Sequence, residues 1–131
     1  MSTPILNSLM LSSTDPGRLH EWYATALPPV TDDKQDQYYI LGYGSFYLFL
    51  DSRDDVGPKT AEPGRVIINF DVDDARAVAA RIDELGTAWL APLEDRDGSL
   101  FATAIDPDGN YVQVIQLSEE VRRQMSEQAQ A

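Results

Sequence analysis

Asp106-Pro107-Asp108-Gly109-Asn110-Tyr111-Val112-Gln113-Val114-Ile115-Gln116 decides how this chain is read. Pro107 presets φ for a turn position, and Asp108, Gly109 and Asn110 are residue types that tolerate positive φ, so the stretch opens as a tight turn. From Tyr111 to Gln116, ring, Val, amide, Val, Ile and amide follow one another, which suits a β-strand rather than a helix. Ser99 to Ile105 is the matching strand upstream, so a hairpin closes around the turn. The use of that hairpin depends on what Gln113 faces.

Upstream, the same grammar repeats. Ile5 to Ser12 reads as a strand, with Leu9 and Leu11 on one side and Ser8, Met10 and Ser12 on the other. Asp15-Pro16 opens a helix, Asp15 as N-cap and Pro16 at the first helical position. Leu19, Trp22, Tyr23 and Ala26 give that helix one apolar face, and Pro28-Pro29 end it. Val30 to Asp33 is a short edge strand. Gln37 to Leu41 and Ser45 to Asp51 are strands joined by Gly42-Tyr43-Gly44. Residues 51–64, rich in acids, Pro and Gly, form a loop between two halves. Arg65 to Val72 is a strand with Val66, Ile68, Phe70 and Val72 on one face and Ile67, Asn69 and Asp71 on the other. Asp73-Asp74 cap a second helix with the stripe Ala75, Val78, Ile82 and Leu85, closed by Gly86. Thr87 to Ala91 is a strand stopped by Pro92, and Glu94 to Gly98 is a polar turn. Ser118 to Gln128 is a tail helix, acids first and Arg122-Arg123 later, as the helix dipole prefers.

The chain has 131 residues with 43% hydrophobic and 24% charged content, which fits one globular domain with a sizeable core. No apolar run approaches the ~20 residues that span a bilayer, and the N-terminus lacks an export pattern, so the expected place is the cytoplasm. There is no cysteine, which excludes disulfides and thiolate sites. The net charge of −12 repels polyanions, so nucleic acid is not an expected partner, nor is a membrane.

Shifting the first strand and helix by 59 residues lays Leu9 on Ile68, Leu11 on Phe70, Asp15 on Asp74, Leu19 on Val78 and Tyr23 on Ile82. Each half then reads strand, helix and about three strands. The fold class is α+β: two tandem βαβββ modules form a cupped mixed sheet with helices on the outer face. They make a single domain over 1–131, with modules at about 1–56 and about 63–117 and the helix at about 118–128.

With these residues in hand, the chain resembles the vicinal oxygen chelate superfamily of glyoxalases, bleomycin-resistance proteins and extradiol dioxygenases. The resemblance rests on Leu9-Met10-Leu11 followed by Asp15, Leu19 and Trp22-Tyr23. It rests also on Phe70-Asp71-Val72-Asp73-Asp74 and on Asp106-Pro107-Asp108-Gly109-Asn110. It implies paired modules cupping a site, commonly in a homodimer. Metal-dependent members carry carboxylate, amide or imidazole ligands on the concave face. The resemblance places those positions here at Ser8, approximately Leu48, Ile67 and Gln113. Leu and Ile have no donor atom, and Ser and a neutral Gln are poor ligands for Zn²⁺, Ni²⁺ or Fe²⁺. No metal or other cofactor is therefore expected. His20, the lone histidine, is expected in solvent on the first helix.

Strand parity taken from those positions assigns the concave face Ser8 and Met10; Phe46, Leu48 and Leu50; Ile67, Asn69 and Asp71; Phe101 and Thr103; and Tyr111, Gln113 and Ile115. A one-residue slip in the fourth strand would instead bring Tyr47 and Phe49 there. The result is an aromatic-walled groove with a few amides and hydroxyls. The expected function is metal-independent binding of a hydrophobic or cationic small molecule, for sequestration or sensing. The alternative is an enzyme of the same superfamily, a lyase, isomerase or dioxygenase. It would work metal-free with Asp71 or Tyr111 as acid or base, or with displaced metal ligands. Asp71 could be a base only if buried, because desolvation raises a carboxylate pKa.

Overall fold

The computed structural model describes residues 2–130, with side chains through residue 128. It divides into two compact units, Met1–Ala61 and Glu62–Ala131. The first holds β1 (Ser8–Ser13), α1 (Pro16–Ala26), β2 (Thr31–Gln35), β3 (Tyr38–Tyr43) and β4 (Phe46–Ser52), in a sheet ordered β1-β4-β3-β2. The second holds β5 (Ile67–Asp71), α2 (Ala75–Glu84), β6 (Trp89–Arg96), β7 (Ser99–Ile105) and β8 (Tyr111–Gln116), ordered β5-β8-β7-β6, followed by α3 (Glu119–Gln130). Each unit is a βαβββ module in which the first and last strands pair in parallel. Strand and helix start 59 residues apart in the two units, at Ser8 and Ile67 and at Pro16 and Ala75. The α+β class and the tandem modules thus stand as the sequence predicts.

The repeat extends to the caps. The Asp15 carboxylate accepts a hydrogen bond from the Arg18 N–H at 3.2 Å, and the Asp74 carboxylate accepts one from the Ala77 N–H at 3.1 Å. Each satisfies a helical N–H that has no partner inside its helix. α1 buries Leu19, Trp22, Tyr23 and Ala26 against Leu41, Leu48 and Leu50; α2 buries Ala75, Val78 and Ile82 against Ala102, Ala104, Val112 and Val114. Removing these side chains from water supplies the main driving force for each unit, at about 25 cal/mol per Å² of apolar surface. α2 ends as expected, with Gly86 at φ 71 donating its N–H to the Asp83 carbonyl.

Several boundaries differ from the sequence reading: β1 begins at Ser8 rather than Ile5, β2 runs to Gln35, β3 continues through Gly42 to Tyr43, and β5 begins at Ile67 rather than Arg65. β6 does not stop at Pro92 but continues to Arg96, with register irregularities between Trp89 and Glu94. It is an edge strand that pairs only with β7, so a residue lacking an N–H is tolerated there. The reversal then falls at Asp97-Gly98, where φ is 54 and 91. α3 begins at Glu119 because the Ser118 hydroxyl caps it, accepting from the Val121 N–H at 3.2 Å. No helix among the described residues is long and apolar enough to cross a membrane.

The β7–β8 turn is held by one carboxylate. Asp106 is 2% exposed, and its Oδ1 accepts from the N–H groups of Asp108 and Asn110, each at 2.9 Å. Its Oδ2 accepts from the Asn110 side-chain amide at 2.9 Å. Only Gly109 in this turn takes positive φ, at 88. The three bonds make the turn rigid and set the register of β8 against β7. Asp106→Ala should lower unfolding free energy by about 2–4 kcal/mol, because buried N–H groups lose their acceptor, with a smaller loss for Asp106→Asn. Urea titration followed by tryptophan fluorescence checks both.

The Tyr43 hydroxyl donates to the Leu27 carbonyl at 2.8 Å, tying β3 to the end of α1. Burial, and then the charge of Asp32, push its phenol pKa well above the ordinary value. A group that ionises later folded than unfolded contributes stability below the unfolded pKa of about 10 and loses it as pH rises toward the folded value. Tyr43→Phe should therefore be less stable than the parent by about 1 kcal/mol at neutral pH. The gap should narrow above pH ~10 in paired denaturation curves.

Candidate functional site

Each helix covers one face of its sheet, and register shows which side chains lie on the other. In the second unit Ile67 pairs with Tyr111, Asn69 with Gln113 and Asp71 with Ile115; across β7, Gln113 meets Thr103, Ile115 meets Phe101 and Tyr111 meets Ile105. Paired residues share a face. All eight residues expected on this face from this half, Ile67, Asn69, Asp71, Phe101, Thr103, Tyr111, Gln113 and Ile115, therefore lie on one surface. They form rows: Ile67, Tyr111 and Ile105; then Asn69, Gln113 and Thr103; then Asp71, Ile115 and Phe101. A stripe of two amides and a hydroxyl runs between two largely apolar rows. Asn69 is exposed and Gln113 half-buried, so water reaches both amides. The Arg96 guanidinium lies 5.0 Å from the Phe101 ring centre, closing that edge of the surface.

The first unit requires a correction. Ser8 pairs with Tyr47, Met10 with Phe49 and Ser12 with Asp51, and Ile40 lies across from Phe49. Ser8 and Met10 are on the face away from α1, as expected. Phe46, Leu48 and Leu50 are not. Leu48 and Leu50 are 2% and 0% exposed and pair with Leu41 and Tyr39. Tyr39 stacks on His20 of α1 with ring centres 4.4 Å apart, and Tyr43, which pairs with Phe46, bonds to Leu27. All three residues therefore point to the helix side. The slipped register is the real one, and Tyr47, Phe49 and Asp51 take their place. Every residue from Phe46 to Leu50 is apolar or aromatic, so alternation alone carried no signal.

Other expectations also shift. His20 is not simply solvated: its Nε2 lies 2.8 and 3.0 Å from the two Asp32 carboxylate oxygens, on the α1 side of the sheet. Asp71 does not meet the burial condition for a base. Its side chain is 58% exposed and pairs with the Arg122 guanidinium of α3 at 2.8 Å. A polar depression of about 470 Å³ is lined by Gln37, Ser52, Arg53, Asp54 and Asp55. It is not built from the rows of either sheet face. The exposed Arg53–Asp55 pair there holds Asp55 below, and Arg53 above, its ordinary pKa.

The donor set does not fit a transition metal. By register the position in the first unit that matches Gln113 is Phe49 rather than Leu48, since Asn69 pairs with Gln113 as Met10 pairs with Phe49. Ser8, Phe49, Ile67 and Gln113 offer one hydroxyl and one amide between them, against the three or four imidazole or carboxylate donors such ions take. Among the described residues no group of three or more His, Cys, Asp or Glu side chains is arranged to hold a metal.

The family profile described as a glyoxalase-like domain matches residues 8–115. No functionally curated protein shows significant similarity to the sequence. Among solved structures, a fosfomycin resistance protein from Mesorhizobium loti superposes with a TM-score of 0.72 at 18% identity, covering 94% of this chain and 99% of that one. The oxidase ChaP-H2 gives 0.71 at 19%, covering 88% and 95%. A glyoxalase/bleomycin resistance protein/dioxygenase from Nocardioides gives 0.65 at 17%, covering 91% and 87%. At these identities the likeness is one of fold. The donor chemistry generates a direct check. Protein purified without chelators should carry well under one equivalent of Zn, Ni or Fe by plasma mass spectrometry, and added Zn²⁺ should leave its melting temperature unchanged.

Proposed function

The chain belongs to the glyoxalase-like domain family, and on that premise we propose that it is a metal-independent cytoplasmic protein that binds a small, largely hydrophobic molecule. One observation carries the reading. In the second unit the row Asn69, Gln113 and Thr103 crosses the middle of a surface whose flanking rows hold Ile67, Tyr111, Ile105, Ile115 and Phe101. Apolar side chains supply contact area for a hydrophobic body, and a few fixed donors and acceptors orient it. Two amides offer both donors and acceptors in line, so a planar ligand with carbonyl and N–H or O–H groups along one edge matches the stripe.

The fold of a fosfomycin resistance protein and of an oxidase serves quite different chemistry, so function rests on the side chains of these faces rather than on the architecture. Asp71, bound to Arg122, offers no proton acceptor in a dry site, which favours binding over turnover. A homodimer belongs to the same reading, since apolar side chains such as Met10 and Ile67 are about half exposed, at 49% and 46%.

A thermal-shift screen of aromatic metabolites and antibiotics, followed by amide NMR titration, tests the proposal. Hits should perturb the β5, β7 and β8 residues named above. Gln113→Leu should weaken them about tenfold, the worth of one hydrogen bond that is desolvated on binding. A screen without hits, hits that map away from these rows, or catalytic conversion of a hit would overturn it.

A further inference from the structure

We propose that the first unit carries a subsite for an organic cation, an ammonium or amidinium group on an apolar ligand, built on Asp51 and the aromatic rings beside it. The proposal rests on the binding reading above and extends it to a subsite on the first unit's own face. Asp51 pairs with Ser12 and alternates with Leu50, so its side chain lies on the sheet face away from α1. It is only 8% exposed, and its Oδ1 has no hydrogen-bond partner among the described residues. A buried carboxylate oxygen without a donor is costly, and native structures seldom keep one without use. Asp106, also buried, spends both of its oxygens on the β7–β8 turn.

The internal repeat supplies a control. Asp51 pairs with Ser12 as Ile115 pairs with Asp71, so the matching position in the second unit holds an isoleucine. The fold does not need a carboxylate there. The nearest cation in sequence, Arg53, feels the charge of Asp51 but donates its hydrogen bonds to Asp55, so Oδ1 still lacks a donor among the described residues. Tyr38 precedes Tyr39, which pairs with Leu50, so it stands across from Asp51; Phe49 lies two residues back on the same face, with Met10 alongside. Ring faces attract cations, and a carboxylate beside them supplies the counter-charge. The net charge of −12 raises the local concentration of any cationic ligand. A neutral donor would satisfy Oδ1 but leave its charge unpaired, whereas a cation with an N–H donor supplies both, and hydrogen bonds between charged groups are the stronger ones.

The test compares naphthylmethylammonium with neutral naphthylmethanol by NMR titration against the parent chain, Asp51→Asn and Asp51→Ile. The parent should bind the ammonium probe about tenfold or more tightly than the alcohol, the range of a hydrogen bond to a charged group. Both variants should abolish that preference and leave the alcohol affinity within about twofold, as expected when only the charge pairing is removed. Asp51→Asn keeps the shape of the side chain, and Asp51→Ile places at this position the residue found in the repeat, so a folded variant is available either way. Equal binding of the two probes by the parent overturns the subsite. So does a preference that survives both substitutions, even if they raise the melting temperature. Failure of both probes while neutral hits from the screen still bind overturns the subsite alone; a screen with no hits at all overturns the binding reading as well.

Discussion

A single helix can cover only one side of a four-stranded sheet, and the rest of this structure depends on which side that is. Strand side chains alternate with period two, so once α1 and α2 are seated every strand residue is committed to the helix or to the opposite face. Leu41, Leu48 and Leu50 under α1, and Ala102, Ala104, Val112 and Val114 under α2, form the committed rows. What remains on the other faces is free of the demand to build a core. There the chemistry turns mixed, with Ser, Met, Tyr, Phe and Asp in one unit and Ile, Asn, Tyr, Gln and Thr in the other.

The two units use the same plan but fill it differently. The parallel pairing of first and last strands gives matched positions: Ser8 with Ile67, Met10 with Asn69, Phe49 with Gln113 and Asp51 with Ile115. At none of these does the chain place an imidazole, and the one carboxylate stands where its counterpart is aliphatic. In place of a cluster of hard donors, the faces offer rings, a thioether and amides. Such groups are the kinds that make contact by shape, directed hydrogen bonds and charge.

Much of this was legible along the chain because the signals were local. The caps at Asp15 and Asp74, the helical stripes, the turn at Asp106 and the offset of 59 all sit within short windows, and each reappears in the structure. The errors came where local signals were silent. In β4 both faces are apolar, so nothing along Phe46 to Leu50 says which residues meet the helix. That was decided by the ring of Tyr39 on His20 and the bond from Tyr43 to Leu27, contacts between α1 or its end and a neighbouring strand. Pro92 read as a stop because its missing N–H is fatal in a central strand; β6 turned out to be an edge, where it costs little.

The sequence by itself determined the α+β class, the repeated βαβββ order and the capped helix starts. Periodicity and capping chemistry belong to individual residues and their near neighbours. Only the tertiary structure decided that Tyr47, Phe49 and Asp51 face away from α1, that Asp71 is held by Arg122, and that one oxygen of Asp51 is buried without a donor among the described residues. Register, ion pairing and burial are relations between segments far apart in the chain, and they exist only once the strands have chosen their partners.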